Sequence, residues 1–204
     1  MPVPVAGAAW MFALAGGVGA TDPRRSVPGR IAAASPGSTV ISRARSGARI
    51  ADVPAQLGRA PARRYDAVLM TIGGNDALRR VHRRELTRHA RRAVLTARRF
   101  APEVIVASSA NLGASPIVPW PITRLLEVRT RVVRDALREA CACEGVRFVD
   151  FFRPLRCDPF ARDPERYFSQ DGVHPSDACY DLCFRVIEHQ TALAARLARR
   201  VRAG

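Results

Sequence analysis

Five short apolar runs, separated by longer stretches of helical spacing, constrain the fold of this chain more than any other feature. The runs are Val3 to Leu14, Ser38 to Ser42, Ala67 to Ile72, Val104 to Ser108 and Val146 to Phe151. They recur roughly every 30 to 40 residues, the interval expected of βα units. The second to fifth are brief and continuously apolar rather than alternating, which is the signature of strands buried on both faces. Between the runs, Val27 to Ala34, Arg49 to Leu57, Ala77 to Phe100, Ile122 to Cys143 and Pro175 to Arg202 read as helices, several with Pro or Gly at their edges. The pattern predicts a parallel sheet covered by helices on both sides, a three-layer α/β/α architecture. Ligands of such sheets collect beyond the carboxyl ends of the strands, so the residues that follow each run are where chemistry is expected.

No internal repeat or low-complexity linker divides the 204 residues, and 48% of them are hydrophobic, enough for one sizeable core without staples. Residues 1–204 therefore read as a single domain. The charge is lopsided, with 33 basic against 18 acidic residues and a formal net charge of +15. Every basic side chain other than histidine is arginine, as a GC-rich coding sequence would produce, so codon bias accounts for much of the excess. The densest cluster is Arg79, Arg80, Arg83, Arg84, Arg88, Arg91, Arg92, Arg98 and Arg99, with Glu85 as the only acid among them. Phosphate contact is one reading of that helix and a solvated face is the other. Without aromatic interleaving or a nucleic-acid motif, the solvated face is preferred and nucleic acid is not an expected partner.

The five cysteines, Cys141, Cys143, Cys157, Cys179 and Cys183, contain no C-x-x-C pair and suit either a reducing, cytoplasmic compartment or unpaired buried thiols. Cys179 and Cys183 are four apart, but no cluster of histidine or carboxylate accompanies them at ligand spacing, so neither a metal nor another cofactor is expected. The first 21 residues carry no charge. They also lack a basic leading segment and are broken by Pro2, Pro4 and Gly16-Gly17-Val18-Gly19, which predicts a buried strand and glycine turn, not an export signal or a membrane span.

Three strand-end clusters carry the candidate chemistry. After the third run stands Thr71-Ile72-Gly73-Gly74-Asn75-Asp76, where two glycines allow a sharp turn and an amide is presented at the sheet edge. By itself this could be no more than a turn and helix cap. Asp171-Gly172-Val173-His174-Pro175 sets an acid three residues before a histidine, a spacing at which a carboxylate can orient an imidazole base. Arg45-Ser46-Gly47-Ala48 supplies a further glycine turn after the second run.

In this order the clusters resemble the SGNH hydrolases, the GDSL-type esterase and lipase superfamily, over most of the chain from about Gly17 onward. Gly47 sits where that family has its second-block glycine, Gly73 to Asp76 gives the G-x-N-D block, and Asp171 to His174 gives the final D-x-x-H. The segment Pro159 to Phe168 is similar to a loop that many bacterial members carry before that last block. The resemblance implies a flavodoxin-like five-stranded sheet and hydrolysis of a small-molecule acyl ester by a Ser-His-Asp mechanism. It implies His174 as general base, Asp171 as the residue holding its ring, and Gly47 N–H with the Asn75 side chain as the oxyanion hole. Preorganised donors of that kind are each worth on the order of 3 kcal/mol of barrier.

The first block departs from the family. Members read G-D-S, three residues, then G-x-G, and Gly17-Val18-Gly19 fits the tail of that pattern. Four residues before Gly17 stands Ala13, with Met11 and Phe12 where Gly and Asp belong. A methyl group cannot attack an ester. Either the chain is a catalytically inactive, ligand-binding member of the fold, or its reading frame before Gly16 is displaced and the true first block is lost from residues 1–15. Ser46 is a low-odds substitute nucleophile, since it would have to reach His174. Thr21 and Ser26 follow the glycine turn, and Ser26 reads as a helix cap. His82, His89 and His189 read as structural. The stretch Asn111 to Ile122, apolar with three prolines and a tryptophan, follows the fourth run and could line an acyl pocket or simply cover the core.

Overall fold

A computed structural model describes residues 10–14, 17–59, 64–79 and 81–203. The start of the first apolar run, with Pro2 and Pro4, lies outside the described residues, as do Gly16 and Arg80. Strands β1 (Trp10–Leu14), β2 (Thr39–Ser42), β3 (Ala67–Ile72), β4 (Glu103–Ser108) and β5 (Arg147–Val149) form one parallel sheet in the order β2-β1-β3-β4-β5. This is the flavodoxin-like order, with the chain running outward from β1 to one edge and then, by way of β3, to the other. β1 is paired to β2 and β3, Ala13 lying beside Ser42 on one side and Leu69 on the other.

Strand alternation sorts the core into two layers. Val68, Met70, Val104 and Val106 face one cluster, filled by Leu86, Val94, Val133 and Leu137 of α4 (Arg83–Arg98) and α5 (Ile122–Glu144). Leu69, Ile105, Ala107 and Val149 face the other, with Ile31 of α1 (Val27–Ala34) and with Ile187 and Leu197 from α8 (Asp177–Thr191) and α9 (Leu193–Ala203). Side chains on both faces of the central strands are buried, which is why those runs show no alternation. Ser26 caps α1 by accepting from Gly29 N–H, with Pro28 in the first turn, as its sequence position predicts.

Three expected helices differ from the structure. Arg49 to Leu57 is a 3₁₀ turn, Ile50–Asp52, leading into the short α2 (Val53–Leu57). The helix expected from Ala77 to Phe100 is two elements, α3 (Gly74–Ala77) and α4, with the Asp76 carboxylate turned inward to accept from the buried Ile50 N–H, which pins the first turn at the sheet edge. Pro175 to Arg202 is also two helices. Ala192, at φ 50, ends α8, and Glu188 Oε1 accepts from Ala194 N–H to start α9. The break turns Leu193, Ala194 and Leu197 into the core. The segment before the Asp–His block folds as α6 (Pro159–Arg162) and α7 (Pro164–Tyr167), each opened by an Asp-Pro pair. No helix among the described residues is long and apolar enough to cross a membrane.

Candidate active site

At the carboxyl edge of the sheet, the turns after β2 and β3 and the residues before α8 enclose a cleft of about 420 Å³. Gly47, Asn75 and His174 all line it, together with Gly17 and Val18 of the glycine turn. The structure thus brings all three strand-end clusters to one face, the face at which parallel sheets bind ligands.

The imidazole is fixed by its own turn. His174 Nδ1 stands 2.6 Å from Asp171 Oδ2, and Asp171 Oδ1 accepts from the backbone N–H groups of Val173 and His174. Ser169 Oγ donates to the same carboxylate at 2.7 Å. The hydrogen bond to the His174 ring, followed by those from His174 N–H, Ser169 and Val173, holds the Asp171 carboxyl well below the usual carboxylate range. An ionised Asp171 requires Nδ1 to carry a proton, which leaves Nε2 as the basic nitrogen. The glycine turn packs behind this histidine. Gly19 has φ +91, and a β-carbon there would lie 2.5 Å from Pro175 O and 2.9 Å from His174 Cβ, so only glycine admits the contact. Tyr180 Oη adds a hydrogen bond to Val18 O at 2.8 Å.

On the opposite wall, Asn75 Nδ2 donates to Ala48 O at 2.9 Å, and one amide hydrogen remains for a ligand. Asp76 Oδ2 accepts from the buried Ile50 N–H at 3.0 Å. These two bonds hold the turn that carries Gly47 against the end of β3. Gly47 itself has φ +75, a conformation L side chains rarely adopt, and its N–H has no partner among the described residues. Sequence reading treated Asp76 as a possible cap. Its buried contact with a residue 26 positions away could not be read from local spacing. Burial pushes its carboxyl upward in pKa, against the Ile50 N–H and the Arg49 charge, which act in the other direction.

The remaining candidates fall elsewhere or stay unjoined. Ala13 lies within β1, and from Trp10 to Ala20 the chain has no hydroxyl or thiol. Ser46 lines the cleft but forms no hydrogen bond with His174. Thr21 bonds to Asp177 through both its N–H and its hydroxyl, and Ser26 caps α1. His82 precedes α4, His89 lies near Glu85 on it, and His189 is in α8. Part of the loop after β4, including Leu112, Ile117 and Val118, borders a second cavity beside the cleft. Among the described residues no group of three or more His, Cys, Asp or Glu side chains could hold a metal ion.

The profile of the GDSL-like lipase/acylhydrolase family matches residues 13–182. No curated protein sequence matches the chain. Among solved structures, a member of the lipolytic G-D-S-L family from Veillonella parvula aligns with a TM-score of 0.67 at 16% identity, covering 91% of this chain and 98% of the other. An extracellular lipase from Streptomyces rimosus aligns at 0.65 and 19% identity, over 90% and 99% of the two chains. An acetylxylan esterase from Geobacillus stearothermophilus aligns at 0.61 and 18%, over 90% and 93%. At such identities these likenesses describe the fold.

Proposed function

Because the chain belongs to the GDSL-like lipase/acylhydrolase family, whose members cleave acyl esters, we propose that its cleft is built for hydrolysis of a carboxylic ester, with His174 as general base and Asp171 as the residue that orients its ring and stabilises the imidazolium. Gly47 N–H and Asn75 Nδ2 are the donors for the oxyanion, and Ala13 occupies the nucleophile position. The observation that carries this reading is the single cleft shared by Gly47, Asn75 and His174, with Asp171 2.6 Å from the imidazole. With serine at position 13, Nε2 of His174 would take the hydroxyl proton as Oγ attacks the carbonyl carbon. The imidazolium would then return that proton to the leaving alcohol, and a water molecule activated in the same way would release the acid. The five free cysteines support a cytoplasmic site of action.

A second reading is favoured by one specific observation. With no nucleophilic side chain between Trp10 and Ala20, the chain as it stands binds acyl ligands in this cleft without forming an acyl-enzyme. Hydrolysis of p-nitrophenyl acetate and butyrate decides between the two. The comparison is the chain itself, the triple variant Met11→Gly/Phe12→Asp/Ala13→Ser, and that variant with His174→Ala. Turnover by the triple variant alone, lost with His174→Ala, supports the hydrolase architecture and assigns the chain itself to binding. Turnover by the unmodified chain that needs His174 removes position 13 from the mechanism and makes Ser46 the next residue to replace. Absence of turnover in all three, with the fold intact, defeats the ester-hydrolase reading.

A further inference from the structure

Beside the cleft lies a second cavity of about 410 Å³, enclosed by Ile117 and Val118 of the loop after β4, Phe160 of α6, Phe168 after α7, and Cys179 and Cys183 of α8. The two spaces are neighbours, because Leu78, Ser109, Leu112 and Val173 line both. No charged side chain lines the second cavity among the described residues, although the chain carries a net charge of +15 and arginine covers much of its surface. An apolar hollow of this size, opening beside a polar corner, suits a ligand with a hydrocarbon body and one polar end.

The cavity wall is also tied to the acid–base turn. Ser115 Oγ donates to Gly172 O at 2.6 Å, between Asp171 and His174, so the loop that lines the cavity is bonded to the turn that holds the imidazole. A methylene needs about the volume of a water molecule, roughly 30 Å³ in a liquid. At that volume per carbon the space of about 410 Å³ holds at most roughly fourteen carbons, enough for a medium-length chain.

We propose that this cavity binds the unbranched aliphatic chain of a medium-chain acyl group, whose carbonyl end reaches past Leu78 and Ser109 to the Gly47 and Asn75 corner. The assignment rests on the ester-hydrolase reading for the identity of the carbonyl group. Burial of the hydrocarbon supplies its affinity, which grows with each methylene removed from water.

The test uses the full chain as it stands, with decanoate as probe. Bound decanoate covers Cys183, the partly exposed thiol of the cavity wall, but not Cys143 and Cys157, which are exposed and do not line it. At about ten times its Kd, decanoate should slow maleimide alkylation of Cys183 about tenfold and leave Cys143 and Cys157 unaffected. Equimolar acetate and 3-phenylpropionate should leave all three unchanged. Val118→Trp, which fills the cavity from a half-buried loop position, should abolish the protection, with circular dichroism reporting the fold. Protection by acetate or 3-phenylpropionate equal to that by decanoate, or none by decanoate, overturns the proposal. Chain-length profiles of the Met11→Gly/Phe12→Asp/Ala13→Ser variant separate the two readings. Protection by decanoate with no ester turnover keeps the cavity assignment and removes the hydrolase reading. Turnover of p-nitrophenyl acetate without decanoate protection overturns the cavity assignment alone.

Discussion

Asn75 and Asp76 are adjacent in sequence and perform different work. Asn75 donates one amide hydrogen to Ala48 O and keeps the other for the cleft, whereas Asp76 points into the core and accepts from Ile50 N–H, which is fully buried. Asp76→Ala leaves that N–H without a partner, so the expected loss is about 1–3 kcal/mol of unfolding free energy in a urea titration. Asn75→Ala removes only the bond to Ala48 O and should cost about 1 kcal/mol. In the variant with serine restored at position 13, it should lower kcat by about 10² to 10³-fold while the fold remains intact, as removal of one oxyanion donor does. The G-x-N-D cluster was visible in the sequence as a turn carrying an amide. The division of labour between its last two residues was not, because it depends on where the β2 turn returns in space.

At the scale of elements, the arginine-rich helix shows how composition and structure share responsibility. Arg83 pairs with Glu139, and Arg91 with Glu144, so part of the basic run staples α4 to α5. Arg98 adds a hydrogen bond to Glu144 O. Its apolar face of Leu86, Ala90, Ala93, Val94 and Ala97, legible from spacing alone, is the face buried in the structure. The junction of α8 and α9 was less legible. Thr191-Ala192-Leu193 holds neither Gly nor Pro, yet Ala192 is left-handed, and an L residue there costs about 1–2 kcal/mol. Ala192→Gly relieves that strain and adds chain entropy to the unfolded state, for a net gain of about 0.5 kcal/mol or more. A raised midpoint in thermal unfolding would register it, and a lowered midpoint would show that α8 and α9 are not separated at this residue.

Over the whole molecule, two carboxylates give the stability opposite slopes with pH. Asp171 is held below its ordinary value, so its contribution is present above the unfolded carboxylate range and is lost as the solution is acidified through the lower folded pKa. Asp158, which caps α6 through Phe160 N–H, has a buried Oδ2 without a hydrogen-bond partner among the described residues, and burial pushes its pKa from 3.8 to about 6. A raised carboxyl favours the neutral form in the folded chain. Its contribution is therefore complete below the unfolded value near 3.8 and is lost as pH rises through about 6. Asp158→Asn keeps the capping oxygen without the charge. Chemical denaturation should find the variant more stable than the parent at pH 8 and nearly equal to it at pH 4. An equal difference at both values would mean that Asp158 does not titrate in this window.

Period and punctuation alone determined the five-stranded parallel layering, because strands buried on both faces must be continuously apolar and the helices between them must carry one apolar stripe. They also exposed the turns that hold Gly47, Asn75, Asp171 and His174, and the family resemblance joined those four into one candidate site. Tertiary structure alone decided what those residues touch. Asp76 reaching Ile50, Ser115 reaching Gly172, Gly19 lying against His174, and the apolar cavity beside the cleft all join segments far apart in the chain. Such contacts arise from how the layers close on one another, and no local rule of spacing encodes a distance between residues that only packing brings together.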